Sequence, residues 1–258
     1  MIDHHVHLGY DKRTTFSLSQ KDLSERLERY KLEGAIVFSC PNVQIKERNP
    51  YKEGNTLVLT ASKEDKRIIP IMFVHPFLDR INYVEENQNL FRGFKLYPKA
   101  SGMEYDYRKL NGITTEFLIH TQKPIIFHIN SREGHKISDL APFIKKKKGG
   151  LIVFAHSGDL IEKDLMFASE YPFVFIDISP LATMLHNKFF AETRRRPKQL
   201  KTLSVYSILD YLSEKFGKQK ILWGSDAPWC DNLLERGYEA EVTISKKMQE
   251  LGLTSKLF

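Results

Sequence analysis

Two histidines lie two residues apart near the start of the 258-residue chain, at His5 and His7. Successive side chains of a β-strand point to opposite faces, so these two would share one face while His4 and Val6 occupy the other. Two imidazoles on one face can bind the same metal ion. Asp3 would lie on that face as well, one step deeper, where its carboxylate could orient one of the rings.

Four further polar residues lie in or directly after short apolar runs, and they are Lys95, His128, His156 and Asp226. Each has an ordinary interpretation when taken alone: a structural lysine, a hydrogen-bonded core histidine, or an aspartate that caps a helix. Four histidines and one aspartate at the same ends of their strands instead indicate one joint site. Imidazole and carboxylate groups are ligands for divalent metals, so a metal centre is the expected chemistry.

The elements that must position these groups recur along the chain as eight apolar runs, separated by segments with helical spacing. Several runs are almost continuous in Ile, Val, Leu and Phe, which is typical of strands buried on both faces. The runs are Ile2–Leu8, Ala35–Cys40, Ile68–Val74, Phe91–Tyr97, Pro124–Ile129, Leu151–Ala155, Phe173–Ile178 and Ile221–Trp223. The helices predicted between them include Leu18–Leu32 stopped by Gly34, Thr202–Phe216 stopped by Gly217, and Leu233–Leu251.

Strands that alternate with helices predict parallel pairing with right-handed crossovers. Eight such units, without a repeat or a linker, predict an α/β fold: a single-domain (β/α)8 barrel of the TIM type over residues 1–258. About 250 residues are typical of this fold, and its reactive groups lie at the carboxyl ends of the strands. The candidate metal ligands all fall at those ends.

Composition narrows the classes of function. Cys40 and Cys230 are too few for a disulfide framework, which suits a reducing compartment and predicts a cytoplasmic protein. No run is long and apolar enough to span a membrane, and no basic stretch followed by an apolar one marks a secretory leader. The net charge of +7 allows an anionic substrate or a nucleic acid. The densest basic run, Lys145–Lys148, precedes Gly149 as at a helix end, so a nucleic-acid partner is not favoured.

The order of these segments resembles the amidohydrolase superfamily, and within it the branch related to aminocarboxymuconate semialdehyde decarboxylase. The resemblance covers nearly the whole chain and includes Asn55 and the segments Ile2–His7, Gly93–Pro98, Ala155–Gly158, Ile176–Ser179 and Gly224–Pro228. The chain departs from the pattern at Tyr97, where many relatives carry histidine. It also departs at Ser157-Gly158, where many relatives carry two glycines after a variable residue.

The resemblance implies that His5, His7, His128 and Asp226 hold one metal ion, with Zn²⁺ expected and Mn²⁺, Fe²⁺ or Ni²⁺ as alternatives. Such an ion lowers the pKa of bound water from 15.7 to about 7. Asp226 would take the proton of that water and deliver it to the leaving group. His156 would polarise the substrate, position the water, or bind a second ion.

Lys95 has three interpretations. Some relatives carry a carboxylated lysine on the fourth strand that bridges two metals. An uncarboxylated ammonium would need an anionic partner, which Asp226, Asp177 or a substrate carboxylate could supply, because burying a bare charge is costly. A purely structural role is the third interpretation. Three less certain positions are Asp177, His75 and Arg194–Arg196. Asp177 is either an acceptor beside the site or a strand-end cap, and His75 has a structural or a pocket-wall role. Arg194–Arg196 form either an anion clamp or a solvated helix start.

Four functions stay open at this point. The first is metal-dependent hydrolysis of a small, anionic ester, lactone or amide, and the second is metal-dependent decarboxylation of a small unsaturated or aromatic acid. The third is a nuclease of the TatD type, which is disfavoured because Lys95 and Gly224-Ser225-Asp226 stand where those enzymes usually carry acidic motifs. The fourth is an inactive binding module. The expected partner is a small molecule, not a membrane or a nucleic acid, and a homo-oligomer stays open.

Overall fold

The computed structural model describes residues 1–12, 14–41, 48–99, 104–187, 200, 203–253 and 257. Within these residues strands alternate with helices. The strands are β1 Ile2–Tyr10, β2 Ser17–Leu18, β3 Gly34–Ser39, β4 Ile68–Pro70, β5 Met72–Phe73, β6 Phe94–Leu96, β7 Ile125–Phe127, β8 Ile152–Phe154, β9 Val174–Asp177 and β10 Ile221–Leu222. The helices are α1 Gln20–Arg29, α2 Lys52–Glu64, α3 Ile81–Asn87, α4 Ile113–His120, α5 Ala141–Lys146, α6 Glu162–Ser169, α7 Leu181–His186, α8 Val205–Phe216, α9 Trp229–Leu233 and α10 Gly237–Glu250. None of the helices in the described ranges is long and apolar enough to cross a membrane.

The strands form two sheets, in the orders β2-β1-β3-β4 and β10-β9-β8-β7-β6-β5. All pairings are parallel except that of β2 with β1. β4 and β5 are two pieces of one predicted strand, interrupted only at Ile71. Ile71 N donates to Val37 O in β3, and Met72 N donates to Gly93 O just before β6. This stretch of chain therefore joins the two sheets along one edge.

The two sheets also meet along their other edge. His4 N donates to Trp223 O at 2.9 Å, and Asp226 N donates to His5 O at 2.8 Å. These bonds link β1 to the residues that follow β10, so the succession of strands closes on itself. The (β/α)8 barrel predicted from the eight apolar runs is confirmed.

The barrel interior is apolar below the candidate site. Buried side chains from successive strands pack there, and they include Ile2, Ile36, Phe38, Phe73, Ile126, Val153 and Leu222. A larger apolar cluster fills the layer between the strands and the surrounding helices. Burying one such side chain contributes about 1.5–3 kcal/mol, which explains why the predicted strands are apolar on both faces.

The helix ends differ from the sequence predictions in places. α1 begins after Ser19, whose hydroxyl accepts from Asp22 N at 3.1 Å, and it ends at Arg29. Gly34 is not its stop signal. It opens β3, where a Cβ would lie 2.5 Å from Arg67 O, so the close approach of two strands requires glycine.

The other two predicted helices also begin later than expected. α8 starts at Val205 behind the capping residue Ser204, and Thr202 lies outside the described residues. The helix predicted at Leu233–Leu251 corresponds to α10, which begins only at Gly237, and the short α9 before it ends at Leu233. The lysine run ends α5 as predicted, whereas Arg194–Arg196 lie outside the described residues.

Asn55 fastens helix α2 to the barrel. Its Oδ1 accepts from Phe73 N at 2.8 Å and its Nδ2 donates to Phe73 O at 3.0 Å. On this side β3 pairs with β4 and not with β5, so the backbone groups along the free edge of β5 need other partners. The buried amide of Asn55 supplies both of them.

Replacing this amide should therefore cost stability. We expect Asn55→Ala to lower the free energy of unfolding by about 2 kcal/mol, because it leaves two buried backbone groups unpaired. Urea unfolding followed by circular dichroism measures the change. Thr60→Ala on the exposed side of the same helix is the matched control, with an expected change within about 0.5 kcal/mol. Equal stability of the two variants would contradict this role of Asn55.

Candidate metal centre

A β-bulge in β1 determines which residues enter the barrel. Three residue steps on β1, from Asp3 to Val6, lie opposite two steps on β3. An extra residue reverses the alternation of side chains beyond it. Ile2 therefore packs in the barrel interior, and so does His5, whose ring lies 4.8 Å from that of Phe38.

The prediction that Asp3 shares the inward face is wrong because of this bulge. Its carboxylate accepts from Ser225 N at 2.9 Å and from the hydroxyl of Tyr238 in α10 at 3.1 Å. Burial raises the pKa of Asp3 to about 6, against the hydrogen bonds that favour its charged form. Asp3 thus ties β1 to the chain after β10 and to an outer helix, and not to a histidine ring.

The ring of His5 is oriented by Asp177 at the end of β9. His5 Nδ1 donates to Asp177 Oδ2, and the same carboxylate accepts from the backbone and hydroxyl of Ser179 at 2.8 and 3.0 Å. Burial, and then the charge of Lys95, lower the pKa of His5 well below its usual value. We therefore assign a neutral ring with its proton on Nδ1 and a lone pair on Nε2.

His7 is held in the same tautomer by a backbone group. Its Nδ1 donates to Ser39 O at 3.2 Å, which leaves Nε2 with a lone pair. Asp226 Oδ1 lies 3.4 Å from His5 Nε2 and 3.5 Å from His7 Nε2. Ligand atoms about 2.0–2.1 Å from a tetrahedral zinc ion are themselves about 3.4 Å apart. The three side chains therefore fit a divalent metal, both in donor type and in spacing.

Asp226 does not cap a helix. α9 begins at Trp229 behind Pro228, and Asp226 meets it only through its backbone carbonyl, which accepts from Trp229 N at 2.9 Å. The carboxylate points instead at the two histidines. Burial raises its pKa to about 6, while the charges of His156 and Lys95 act to lower it.

His156 and His128 form a second pair of rings beside this group. His156 Nδ1 donates to Ser179 O at 2.8 Å, and His156 Nε2 lies 3.0 Å from His128 Nδ1. We assign the proton of this second contact to His128 Nδ1, because His156 already carries its own proton on Nδ1. His128 Nε2 then bears a lone pair, and it lies 3.8 Å from Glu133 Oε2.

The structure brings some predicted ligands together more closely than others. The donor atoms of His5, His7 and Asp226 all lie within 4.8 Å of one another. The ring of His156 lies 5.1 Å from that of His5, and His128 is one ring further away. The ligand role of His128 therefore stays a prediction.

Lys95 is fully buried in the barrel, next to the metal-binding group. Its Nζ lies 3.4 Å from His5 Nε2 and 4.5 Å from the centre of the Phe38 ring. Burial lowers the pKa of Lys95 to about 8, while the charges of Asp177 and Asp226 act to raise it. The anionic partners that the sequence suggested for this ammonium are thus nearby.

Several contributing groups were not found from the sequence. The carbonyls of Ser39 and Ser179 fix two histidine tautomers, but backbone acceptors carry no sequence signal. His156 opens a turn of five residues with positive φ, from 60° at His156 to 51° at Leu160. Each left-handed residue other than glycine costs about 1–2 kcal/mol, and Gly158 is the one hint of this turn in the sequence.

His75 is anchored by its own loop, since its Nδ1 accepts from Phe77 N and Leu78 N at 3.2 and 3.1 Å. It also lines a cavity at the carboxyl ends of the strands, as predicted. A smaller cavity of about 210 Å³ borders the centre at Asp226. Its lining combines His128, His156 and Asp226 with the apolar side chains of Pro180 and Met184.

A barrel that gathers histidines and a carboxylate at the ends of its strands is typical of metal-dependent hydrolases. The family model described as amidohydrolase matches residues 2–251, and the chain belongs to this family. It is thus an enzyme of a superfamily that typically depends on divalent metals. No curated protein matches the sequence.

Solved structures share the fold at low sequence identity. An uncharacterised TIM-barrel protein from Bordetella bronchiseptica has a TM-score of 0.61 and 12% identity, over 99% of this chain and 92% of its own. A protein from Pseudomonas putida assigned as 2-pyrone-4,6-dicarboxylic acid hydrolase has a TM-score of 0.59 and 14% identity, over 96% and 90%. A 4-oxalomesaconate hydratase from Rhodopseudomonas palustris has a TM-score of 0.56 and 12% identity, over 100% and 90%.

The contact between Asp177 and His5 can be tested by metal binding. Asp177→Asn replaces an acceptor with an amide that no longer favours the proton on His5 Nδ1. We expect zinc affinity to fall about 10–100-fold, the usual effect of losing a group that orients a ligand. Competition with a chelator measures the affinity, and circular dichroism checks the fold. Asp22→Asn on exposed α1 is the control, and equal zinc affinity in both variants would be evidence against the orienting role.

Proposed function

We propose that the protein is a metal-dependent hydrolase that activates water for attack on a small, anionic ester, lactone or amide. One observation carries the proposal: two imidazoles and a carboxylate, from His5, His7 and Asp226, converge within 4.8 Å. Both rings are held with Nε2 unprotonated, because Nδ1 donates to Asp177 in one and to Ser39 O in the other. This donor set suits Zn²⁺, with Mn²⁺, Fe²⁺ and Ni²⁺ as alternatives.

A divalent metal held by these residues would polarise a substrate carbonyl and lower the pKa of water from 15.7 to about 7. Asp226 is placed to take a proton from water and return it to the leaving group, since its carboxylate borders both the histidines and the cavity. His156 also lines the cavity, and its Nδ1 bond to Ser179 O holds its ring in place. It would orient the substrate or the water.

Lys95 supports an anionic substrate or an anionic transition state. A buried ammonium is favourable only beside negative charge, and Asp177 and Asp226 are its anionic neighbours in the barrel. Negative charge that develops on a substrate oxygen would add to them. The assignment of the Pseudomonas putida neighbour to a dicarboxylic acid agrees with this substrate class. The alternative is a carboxylated Lys95 that bridges two metal ions, and the number of metal ions per chain distinguishes the two cases.

Metal content is the first test of the proposal. Purified protein should contain about one zinc ion per chain by inductively coupled plasma mass spectrometry, and His5→Ala/His7→Ala should lose it because two of three ligands are gone. The double variant His120→Ala/His186→Ala removes two exposed histidines and should keep the metal. About two ions per chain would indicate carboxylated Lys95. A folded protein that takes up no metal after supplementation would refute the proposal.

The second test is turnover by an Asp226 variant at saturating metal. Asp226→Asn keeps the size of the side chain but cannot accept a proton, so we expect kcat to fall about 10²–10⁴-fold. Esters, lactones and amides, each with and without a carboxylate, form the substrate panel, and acid release is followed in a pH-stat. Asp210→Asn, on the exposed face of α8, should leave kcat unchanged. Release of CO2 without hydrolysis would instead assign decarboxylation.

A further inference from the structure

A third cavity lies beside the metal centre, and the proposed function does not yet use it. It has a volume of about 610 Å³ and lies between the ends of β1 and β3 and the first turn of α2. Ser39 joins it to the metal centre, because Ser39 lines the cavity while its carbonyl accepts from His7 Nδ1. We call it the Ser39 pocket, lined by Gly9, Lys12, Ser39, Arg48, Lys52 and Gly54 among others.

The amino end of α2 forms one wall of the Ser39 pocket. α2 spans 13 residues, from Lys52 to Glu64, and Tyr51 provides no side-chain cap. The first turn of a helix presents backbone N–H groups and partial positive charge, both of which favour an anion. Gly54 lets this turn approach Ser39 closely, since a Cβ there would lie 2.4 Å from Ser39 Oγ.

The hydroxyl of Ser39 is a second, independent observation in favour of a ligand. Ser39 is 2% exposed, and its Oγ has no hydrogen-bond partner among the described residues. An unpaired buried hydroxyl costs about 1–3 kcal/mol. An anionic oxygen in the pocket would accept the proton of this hydroxyl and remove that cost.

The charges around the pocket have the matching sign. Lys12, Arg48 and Lys52 line it, and Glu53 is the acidic residue among its described lining. A guanidinium group binds carboxylate and phosphate oxygens in a bidentate manner, so Arg48 is by its chemistry the best suited of the three to select such a group. A helix start, an unpaired buried hydroxyl and an excess of cations therefore meet in one cavity.

We propose that the Ser39 pocket binds an anionic oxygen group, a carboxylate or a phosphate, of the substrate whose reacting bond lies at the metal centre. This inference rests on the proposed function, and it implies a substrate with an anionic end and a reacting end. The hydroxyl of Ser39 and the amides of α2 bind the anionic end, while Arg48 neutralises it. The other end reaches the cavity over Asp226.

Anion binding tests the pocket without turnover. Inorganic phosphate and succinate are titrated into the metal-loaded protein by calorimetry, and we expect Ser39→Ala and Arg48→Ala each to weaken binding tenfold or more. Lys21→Ala is the control, because this exposed lysine of α1 does not line the pocket, and the variant should bind as the unaltered protein does. Tighter binding of phosphate would indicate a phosphate ester, and tighter binding of succinate a carboxylate. No binding, or equal binding by all variants, would overturn the inference.

Kinetics separate this inference from the proposed function. With a carboxylated substrate, Arg48→Ala should raise KM tenfold or more and leave kcat nearly unchanged, and its effect on an uncharged analogue should be small. If the unaltered protein and Arg48→Ala hydrolyse the carboxylated substrate with the same KM, the pocket does not bind the substrate, but the protein is still a hydrolase. If the protein binds anions through Ser39 and Arg48 but shows no hydrolytic activity, the anion site is supported and the hydrolase function is refuted. Circular dichroism confirms that each variant folds.

Discussion

At the carboxyl ends of its strands the barrel buries an ammonium, two carboxylates and several imidazoles, and each of these groups must find a partner there. Lys95, Asp177 and Asp226 are all buried, and His5 lies among them. An unpaired charge in such a place would cost several kcal/mol, so the groups are stable only as a set. The contact of His5 Nδ1 with Asp177 is central to this set, because it joins residues 172 positions apart and fixes which nitrogen of His5 faces Asp226.

The same burial gives the site its chemical character. It raises the pKa values of Asp177 and Asp226 to about 7 and about 6, and it lowers that of Lys95 to about 8. Burial thereby moves each group away from its charged form, while hydrogen bonds and nearby charges of opposite sign act in the other direction. The apolar layer below, which includes Ile36, Phe38 and Ile126, keeps water from entering beneath the polar layer and screening these interactions. Packing and electrostatics are therefore two aspects of one arrangement.

The closure of the barrel makes this arrangement possible. β1 hydrogen-bonds on one side to β3 and on the other to the residues after β10, so His5, His7 and Asp226 become neighbours although Asp226 is far away in sequence. Asp3 strengthens the same joint through Ser225 and Tyr238. One strand thus supplies two candidate metal ligands and also completes the ring that brings in the third.

Local pattern was sufficient to predict the eight strands, the barrel, and the residues that lie at the strand ends. Continuous apolar runs indicate burial on both faces, and His5, His7 and Lys95 lie within such runs while Asp226 lies shortly after one. Residue types at these ends predicted a metal centre, and the family resemblance added the expected ligand set and the roles of its members. Nothing in the local pattern, however, distinguishes a histidine that binds a metal from one that only hydrogen-bonds to a neighbouring ring, so the ligand role of His128 stays a prediction.

Tertiary structure alone decided the remaining points, because they depend on contacts between distant residues. The bulge in β1 turned Asp3 outward, since its register is set by pairing with β3 and not by the sequence of β1. Gly34 is required because β3 lies close to the backbone of Arg67, a contact that only the folded structure shows. The Ser39 pocket likewise exists only where α2 meets the end of β3. Periodicity along a chain records which faces are buried, but the partners on those faces are set by the fold.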